Sequence, residues 1–306
     1  MQERLDQMKR IAPLVARFRG KVFVVKLSGR VTEDPVIWSS LAEDICVCVQ
    51  MGIRIVILHG GGKQMEQMAA ELGIPQQVIN GRRVTDDATL RLAMMTFAGS
   101  INTQILGTLQ GLGLEAVGLS GVDAGLVLAS KRPVQRLVDR ETGEERDVDF
   151  GHVGDIESIQ PALLLHLLER GYLPVIASLG VSRKGEILNI NADTIASEIA
   201  IALQADKLIL LSNTDGIYRD LHDPQTRIPR LSLQEAETLY SSQSIGAGML
   251  PKLKSILSLL ERGVQSAHLI NGLRPNALLQ EIFTEEGSGT TIHRYVRGVT
   301  GQGRLV

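Results

Sequence analysis

An α/β fold, built as a three-layer αβα sandwich around a mainly parallel open sheet, is what this sequence predicts, on three observations. Short apolar, β-branched runs recur along the chain, each closing in glycine or a small polar residue. Stretches with helical spacing of apolar residues separate them. The runs carry apolar residues without alternation, so both faces of each strand are buried, as in a sheet covered by helices on two sides.

Residues 2–18 come first, with Leu5, Met8, Ile11, Leu14, Val15 and Phe18 at helical spacing and Pro13 among them, which predicts a kinked helix. That helix either packs on its own domain or pairs with another subunit. From Lys21 the pattern changes. KVFVVKLSG ends in Gly29, IRIVILHGGG repeats the design from Ile53, and residues 37–51 between them read as a helix. A second helix is predicted over 63–72. LEAVGLSG (114–121), YLPVIASLG (172–180) and KLILLSNTDG (207–216) read as further strands, with helices over 88–112, 160–169, 193–203 and 252–262. Residues 129–149 are polar and contain the turn-like Glu141-Thr142-Gly143-Glu144, predicting a β-hairpin or loop excursion from the sheet. In such sheets ligands sit beyond the carboxyl ends of the strands, so chemistry is expected there.

Composition narrows the partners. A formal net charge of −2 leaves no global basic field, and 3% aromatic residues provide little for stacking bases, so nucleic acid and anionic membrane are not expected. No apolar run reaches transmembrane length, and residues 1–10 are charged and amphipathic without a secretory core, so a cytoplasmic location is expected. Cys46 and Cys48 lie in an apolar stretch, and no second Cys/His pair completes a tetrahedral set; they read as packed, reduced thiols, and no protein metal site is expected. A chain of 306 residues suits one large domain or two lobes sharing a sheet.

Five segments could carry chemistry. His59-Gly60-Gly61-Gly62-Lys63 stands where a buried strand gives way to a helix. It reads either as a tight turn or as a backbone cradle for an anion; the spacing is not that of a Walker A loop. Lys26 ends the first strand just before Ser28-Gly29, and a lysine in an apolar strand either snorkels or finds a partner such as a phosphate. Gly81-Arg82-Arg83-Val84-Thr85-Asp86 leads into a helix, and one arginine could clamp a carboxylate in bidentate fashion. In Leu188-Asn189-Ile190-Asn191-Ala192-Asp193-Thr194, Asp193 or Thr194 suits an N-cap, while Asn189 and Asn191, on one side of a strand end, could hold an acyl amide. Gly246-Ala247-Gly248-Met249-Leu250-Pro251-Lys252 puts a cation in the first turn of a helix, where the dipole disfavours it unless an anion is near.

In this order and spacing the motifs resemble the amino acid kinase family, over residues 21–292. The most specific parts are HGGG (59–62), GRRVTD (81–86), NINAD (189–193) and GAGMLPK (246–252). The resemblance implies a carbamate-kinase-like fold, with a helix at 1–20 available for oligomer contacts, an acyl-amino-acid-binding lobe at 21–185 and a nucleotide-binding lobe at 186–306. It implies transfer of phosphate from ATP to the side-chain carboxylate of N-acetyl-L-glutamate, with Mg²⁺ held mainly by the nucleotide phosphates. Lys26 and Lys252 would match the lysines flanking the migrating phosphoryl group, and Asp193 the acid that organises them. Gly61, Gly62, Arg83, Asn189 and Asn191 would hold the acyl amino acid. Gly29, Gly60, Gly248 and the loop bearing Asn213, Asp215, Gly216 and Tyr218 would border the nucleotide. The sequence departs from the family pattern at Ser28, where glycine is usual, and at Asn213, where aspartate is common. The N-terminal helix with His268, Glu281 and Gly287 resembles the arginine-inhibited, hexameric branch, implying arginine as a possible inhibitor and a homodimer or hexamer joined through N-terminal helices. Two other readings share these residues: a kinase for a carrier-protein-linked aminoadipate, and a non-catalytic arginine-sensing module.

Overall fold

The computed structural model describes residues 2–138, 143, 145–220, 223–242, 245 and 249–294. Its centre is an eight-stranded sheet in the order Arg230–Ser232, Thr290–His293, Ser266–Asn271, Lys207–Ser212, Val22–Leu27, Arg54–His59, Leu173–Ala177 and Ala116–Ser120. Every neighbouring pair is parallel except Ser266–Asn271 with Thr290–His293. The absence of alternation in the apolar runs has the expected cause. Val25, Leu27, Ile55 and Ile57 enter one core, while Val24, Val56, Leu58, Leu208 and Leu210 enter a second core on the opposite face.

Helices cover both faces. Pro35–Gln50, Gly62–Glu71 and Ala277–Phe283 contribute to the first core, and Ala162–Glu169, Ala192–Ala202, Leu233–Ser241 and Leu250–Glu261 to the second. The helix expected over 88–112 is present with one difference. Asp87–Ala93 and Asn102–Gly111 are α-helical, but Met94–Ile101 between them is π-helical. A π segment widens the helix and re-aims its side chains, and such segments are frequent at functional sites.

A smaller sheet, in the order Ile187–Asn189, Leu179–Val181, Val127–Lys131 and Gly154–Ile159, stands beside the main one. The polar excursion is a hairpin of Gln135–Val138 with Glu145–Val148; of its turn at 141–144 only Gly143 lies among the described residues. The boundary expected at 185/186 falls within the antiparallel pair of Leu179–Val181 with Ile187–Asn189. The N-terminal helix is a single element, Gln2–Phe18, with Pro13 inside it. It ends on Phe18, whose ring meets Phe23 and Phe283 edge-to-face at centroid distances of 5.7 and 6.1 Å. Cys46 and Cys48 are buried free thiols, and burial pushes the Cys48 thiol up to about 12.

Candidate active site

The first strand runs between Arg54–His59 and Lys207–Ser212, so its carboxyl end is the middle of the sheet's edge. Lys26, beside Leu58 and Leu210 in register, reaches across to Asp193 at 2.7 Å. Asp193 is available there because Asn191 caps the helix Ala192–Ala202, accepting from the Thr194 N–H at 3.1 Å. That corrects the expectation for Asn191. The strand ends at Asn189, and Asn191 is an exposed cap rather than a second amide on the same strand face. Lys252 is in the first turn of Leu250–Glu261. Burial lowers its pKa, Asp193 raises it and Lys26 lowers it again, so two ammonium groups share the field of one carboxylate. That set carries excess positive charge and suits an anion. Gly248 lies outside the described residues.

The glycine turn is fixed from behind. His59 is buried, with Nδ1 2.9 Å from the Gly60 carbonyl oxygen and Nε2 3.1 Å from the Asn102 amide nitrogen. Burial pushes its pKa down to about 4 against the opposing Gly60 hydrogen bond, so the ring is neutral. Asn102 Nδ2 can only donate, so Nε2 accepts and Nδ1–H donates to Gly60. The same Asn102 nitrogen lies 3.1 Å from the Val175 carbonyl oxygen, which ties the turn to the next strand. A Cβ at Gly61 would lie 2.2 Å from Ile101 Cδ1 and 2.9 Å from Phe97 Cδ1. Both side chains belong to the π segment, so Gly61 is required by close approach. Gln64, two residues into the helix Gly62–Glu71, donates to the Gly29 carbonyl at 3.1 Å and to Thr32 Oγ1 at 2.8 Å, and so joins the two glycine turns.

Arg83 leans over the start of that helix, donating to the Gly62 carbonyl at 3.3 Å and pairing with Glu66. Asn189 donates to Thr85 Oγ1 at 3.1 Å, beside the same turn region. Buried side-chain polar atoms lacking a partner among the described residues are Ser28 Oγ, Gln64 Oε1, Arg83 Nε, Trp38 Nε1 and Gln76 Oε1. The first three belong to the two glycine turns and the arginine beside them. A buried unsatisfied group costs about 1–3 kcal/mol, so their grouping marks a place that a polar ligand would complete.

The loop after Lys207–Ser212 is built around Asp215. Its carboxylate accepts from Arg274 Nε at 2.6 Å and Nη2 at 2.7 Å, from Asn271 Nδ2 at 3.0 Å and from the Tyr218 hydroxyl at 3.3 Å. Gly216 has φ +116°, and a Cβ there would lie 2.4 Å from Thr290 Oγ1, so this turn requires glycine. Asn213 is exposed at the loop's start. A cavity of about 680 Å³ opens alongside, lined among others by Asp215, Tyr218, Asn271, Arg274 and Gly287.

His268 and Glu281 form a different cluster. Glu281 Oε1 is 2.6 Å from both His268 Nδ1 and the Thr291 hydroxyl, and Oε2 accepts from the Ser288 and Gly289 N–H groups at 2.7 and 3.0 Å. Burial alone would raise the Glu281 pKa; these bonds outweigh it and hold the carboxylate below its usual range. His268 Nε2 is 3.0 Å from Lys207 Nζ, which lies 5.6 Å from the Phe18 ring centre and 5.8 Å from that of Phe23. Gly287, at φ +64°, packs so closely that a Cβ would lie 2.8 Å from Glu281 Oε2. Gln64, Asn102 and Lys207 were not singled out from sequence; each is a polar residue inside a run that otherwise reads as ordinary helix or strand.

Comparison with known proteins agrees along nearly the whole chain. The family model described as "Amino acid kinase family" matches residues 21–271. An acetylglutamate kinase of Methanocaldococcus jannaschii is 40% identical over 294 residues, covering 96% of this chain and 97% of that protein. The N-acetylglutamate synthase of Neisseria gonorrhoeae, complexed with coenzyme A and N-acetyl-glutamate, superposes with TM-score 0.79 at 28% identity over 96% of this chain. The same synthase with coenzyme A and L-arginine gives 0.77 at 26% over 95%. The chain spans 64% and 65% of the length of those two synthase chains. Carbamate kinase from Giardia lamblia, bound to AMP-PNP, shares the fold with TM-score 0.60 at 16% identity, covering 90% of this chain and 99% of that one.

Proposed function

The chain belongs to the amino acid kinase family, and from that premise we propose that it transfers the γ-phosphoryl group of ATP to the side-chain carboxylate of N-acetyl-L-glutamate. The observation that carries this reading is the meeting of Lys26, Asp193 and Lys252 in one electrostatic neighbourhood at the carboxyl edge of the sheet. Full-length similarity to acetylglutamate kinases supports the choice of acceptor.

The chemistry fits the residues. A carboxylate is already ionised at neutral pH, so no general base is needed. One carboxylate oxygen forms a bond to the γ-phosphorus, and the β–γ bridging oxygen departs with the bonding electron pair as ADP. Lys26 and Lys252 neutralise the charge spread over the migrating group, and Asp193 keeps the two ammonium groups from parting. Arg83 and Asn189 orient the acyl amino acid over the N–H groups of Gly61 and Gly62, in the lobe formed by residues 21–185. In the lobe of residues 186–306 the Asn213–Tyr218 loop, with Asp215 braced by Arg274, borders the nucleotide, and Gly29 and Gly60 face its phosphates. The Ser28 hydroxyl, unpartnered among the described residues, and the close glycine turns fit a polyphosphate. Asp193 is engaged by Lys26, so Mg²⁺ would be held mainly by the nucleotide phosphates, where it supplies further charge neutralisation.

ADP release from ATP and Mg²⁺ tests this directly. It is expected to depend on N-acetyl-L-glutamate, with the product trapped by hydroxylamine as a hydroxamate. Release independent of that acceptor, or faster with a carrier-protein-linked aminoadipate, would overturn the assignment.

Arginine inhibition belongs to the same proposal. Lys207, His268, Glu281 and Gly287 lie next to the end of the N-terminal helix, and a synthase of related fold was solved with L-arginine. An inhibitor held there would act through the helix that joins subunits in a homodimer or hexamer. L-Arginine is expected to lower activity and raise the melting temperature; no change in either removes this part. Among the described residues no helix is long and apolar enough to cross a membrane, and we place the enzyme in the cytoplasm.

A further inference from the structure

Ser28 follows Lys26 by two residues. Its backbone is extended, with φ −79° and ψ 153°, so the alternation of the strand Val22–Leu27 carries through it. Its side chain therefore leaves on the same face as Lys26, the face on which Lys26 meets Asp193. A serine immediately ahead of a helix would ordinarily cap it. Ser28 does not: its hydroxyl makes no capping bond to Gly29–Glu33, and Oγ is buried without a partner among the described residues. The turn is meanwhile braced from the other side by Gln64, which holds the Gly29 carbonyl and the Thr32 hydroxyl. The hydroxyl thus has one proton to donate, on a residue two positions after Lys26 whose turn is braced from behind.

We propose that Ser28 is an additional catalytic residue, whose hydroxyl donates a hydrogen bond to a non-bridging oxygen of the γ-phosphoryl group during transfer. The proposal rests on the kinase reading above. Ser28 keeps its proton throughout: the carboxylate oxygen bonds to phosphorus as the β–γ bridging oxygen leaves with the electron pair, and no proton moves. The lysines supply charge that acts over distance. The hydroxyl supplies a directional contact that strengthens as negative charge grows on the equatorial oxygens. Glycine at this position has no group that could do this.

Binding and turnover of Ser28→Ala and Ser28→Gly in the full chain test the proposal. The probes are MgADP alone and MgADP with aluminium fluoride, which mimics the migrating group, each titrated calorimetrically. MgADP affinity is expected to stay within about two-fold in both variants, while affinity for the fluoroaluminate complex falls about ten-fold or more. In turnover, kcat is expected to fall by a similar factor with KM for ATP little changed. Ser28→Thr, which keeps the hydroxyl, should recover part of both losses. Equal effects on the two ligands, or unchanged kcat in both Ser28→Ala and Ser28→Gly, would overturn the assignment. If the wild type shows no acetylglutamate-dependent turnover, the kinase reading fails by itself, while the difference between the two nucleotide complexes still decides the role of Ser28.

Discussion

Two buried charged clusters can be set side by side. One is Lys26 with Asp193, within the field of Lys252; the other is Lys207 with His268 and Glu281. Both bring a lysine of the sheet near a carboxylate from a covering helix, yet they differ in completeness. Side-chain exposure is 15% and 23% for Lys26 and Asp193, against 3% and 1% for His268 and Glu281. In the second cluster both Glu281 oxygens are bonded and the imidazole is engaged at both nitrogens. In the first, positive charge exceeds negative, and Ser28 Oγ, two residues from Lys26, has no partner among the described residues. Burial of charge alone therefore does not distinguish a reacting centre from a closed network. Unmet hydrogen-bonding capacity does.

The largest test of that contrast is Lys26→Ala. It removes half of the positive charge proposed to act on the phosphoryl group, and kcat is expected to fall by roughly 10³-fold or more, with little change in the urea unfolding midpoint. A loss under ten-fold in acetylglutamate-dependent ADP release would break the comparison. Glu281→Ala should do the converse. Stripping a carboxylate from a fully bonded, buried set leaves His268 and Lys207 uncompensated, at a cost of about 3–5 kcal/mol in unfolding free energy. At saturating substrates kcat should stay within about three-fold. If stability is unaffected and turnover collapses, the roles of the two clusters have been exchanged.

The smallest difference is expected in acid, because the two regions share one property. His59 behind the glycine turn and His268 in the closed cluster are both pushed down to about 4, in each case chiefly by burial. An imidazole with a folded pKa below its unfolded value of about 6.5 contributes stability that is present above pH 6.5. That contribution is lost as pH falls toward 4, because the unfolded chain takes up the proton first. Urea midpoints should therefore drop between pH 7 and pH 5; a flat profile would mean that both rings accept protons within the fold.

Much of this was legible in the sequence because strands buried on both faces leave unbroken apolar runs, and because glycine turns follow them at the edge where ligands gather. Lys26 and the Gly60–Gly62 turn stood out for that reason, whereas the roles expected of Arg83, Asp193 and Lys252 came from the motifs that carry the family resemblance. What stayed hidden depends on tertiary contact. MMTFAGSI has the composition of a helix, and its close packing against Gly61, which accompanies the π geometry, is seen only in the fold. Asn102 looks like a solvated amide until His59 and Val175 are seen beside it. The strand Ser266–Asn271 was missed because His268 interrupts its apolar character, and that residue finds its partners on other elements. Asn191 was read as strand because a two-residue alternation cannot reveal where a strand stops and a capped helix begins.

One unbroken sheet passes through both halves of the chain, with Val22–Leu27 hydrogen-bonded on one side to Arg54–His59 and on the other to Lys207–Ser212. A change in angle between the halves has no hinge loop to use at that point and must be absorbed as added twist around the middle strand. Lys26, on that strand, would then stay nearest the axis of such a twist.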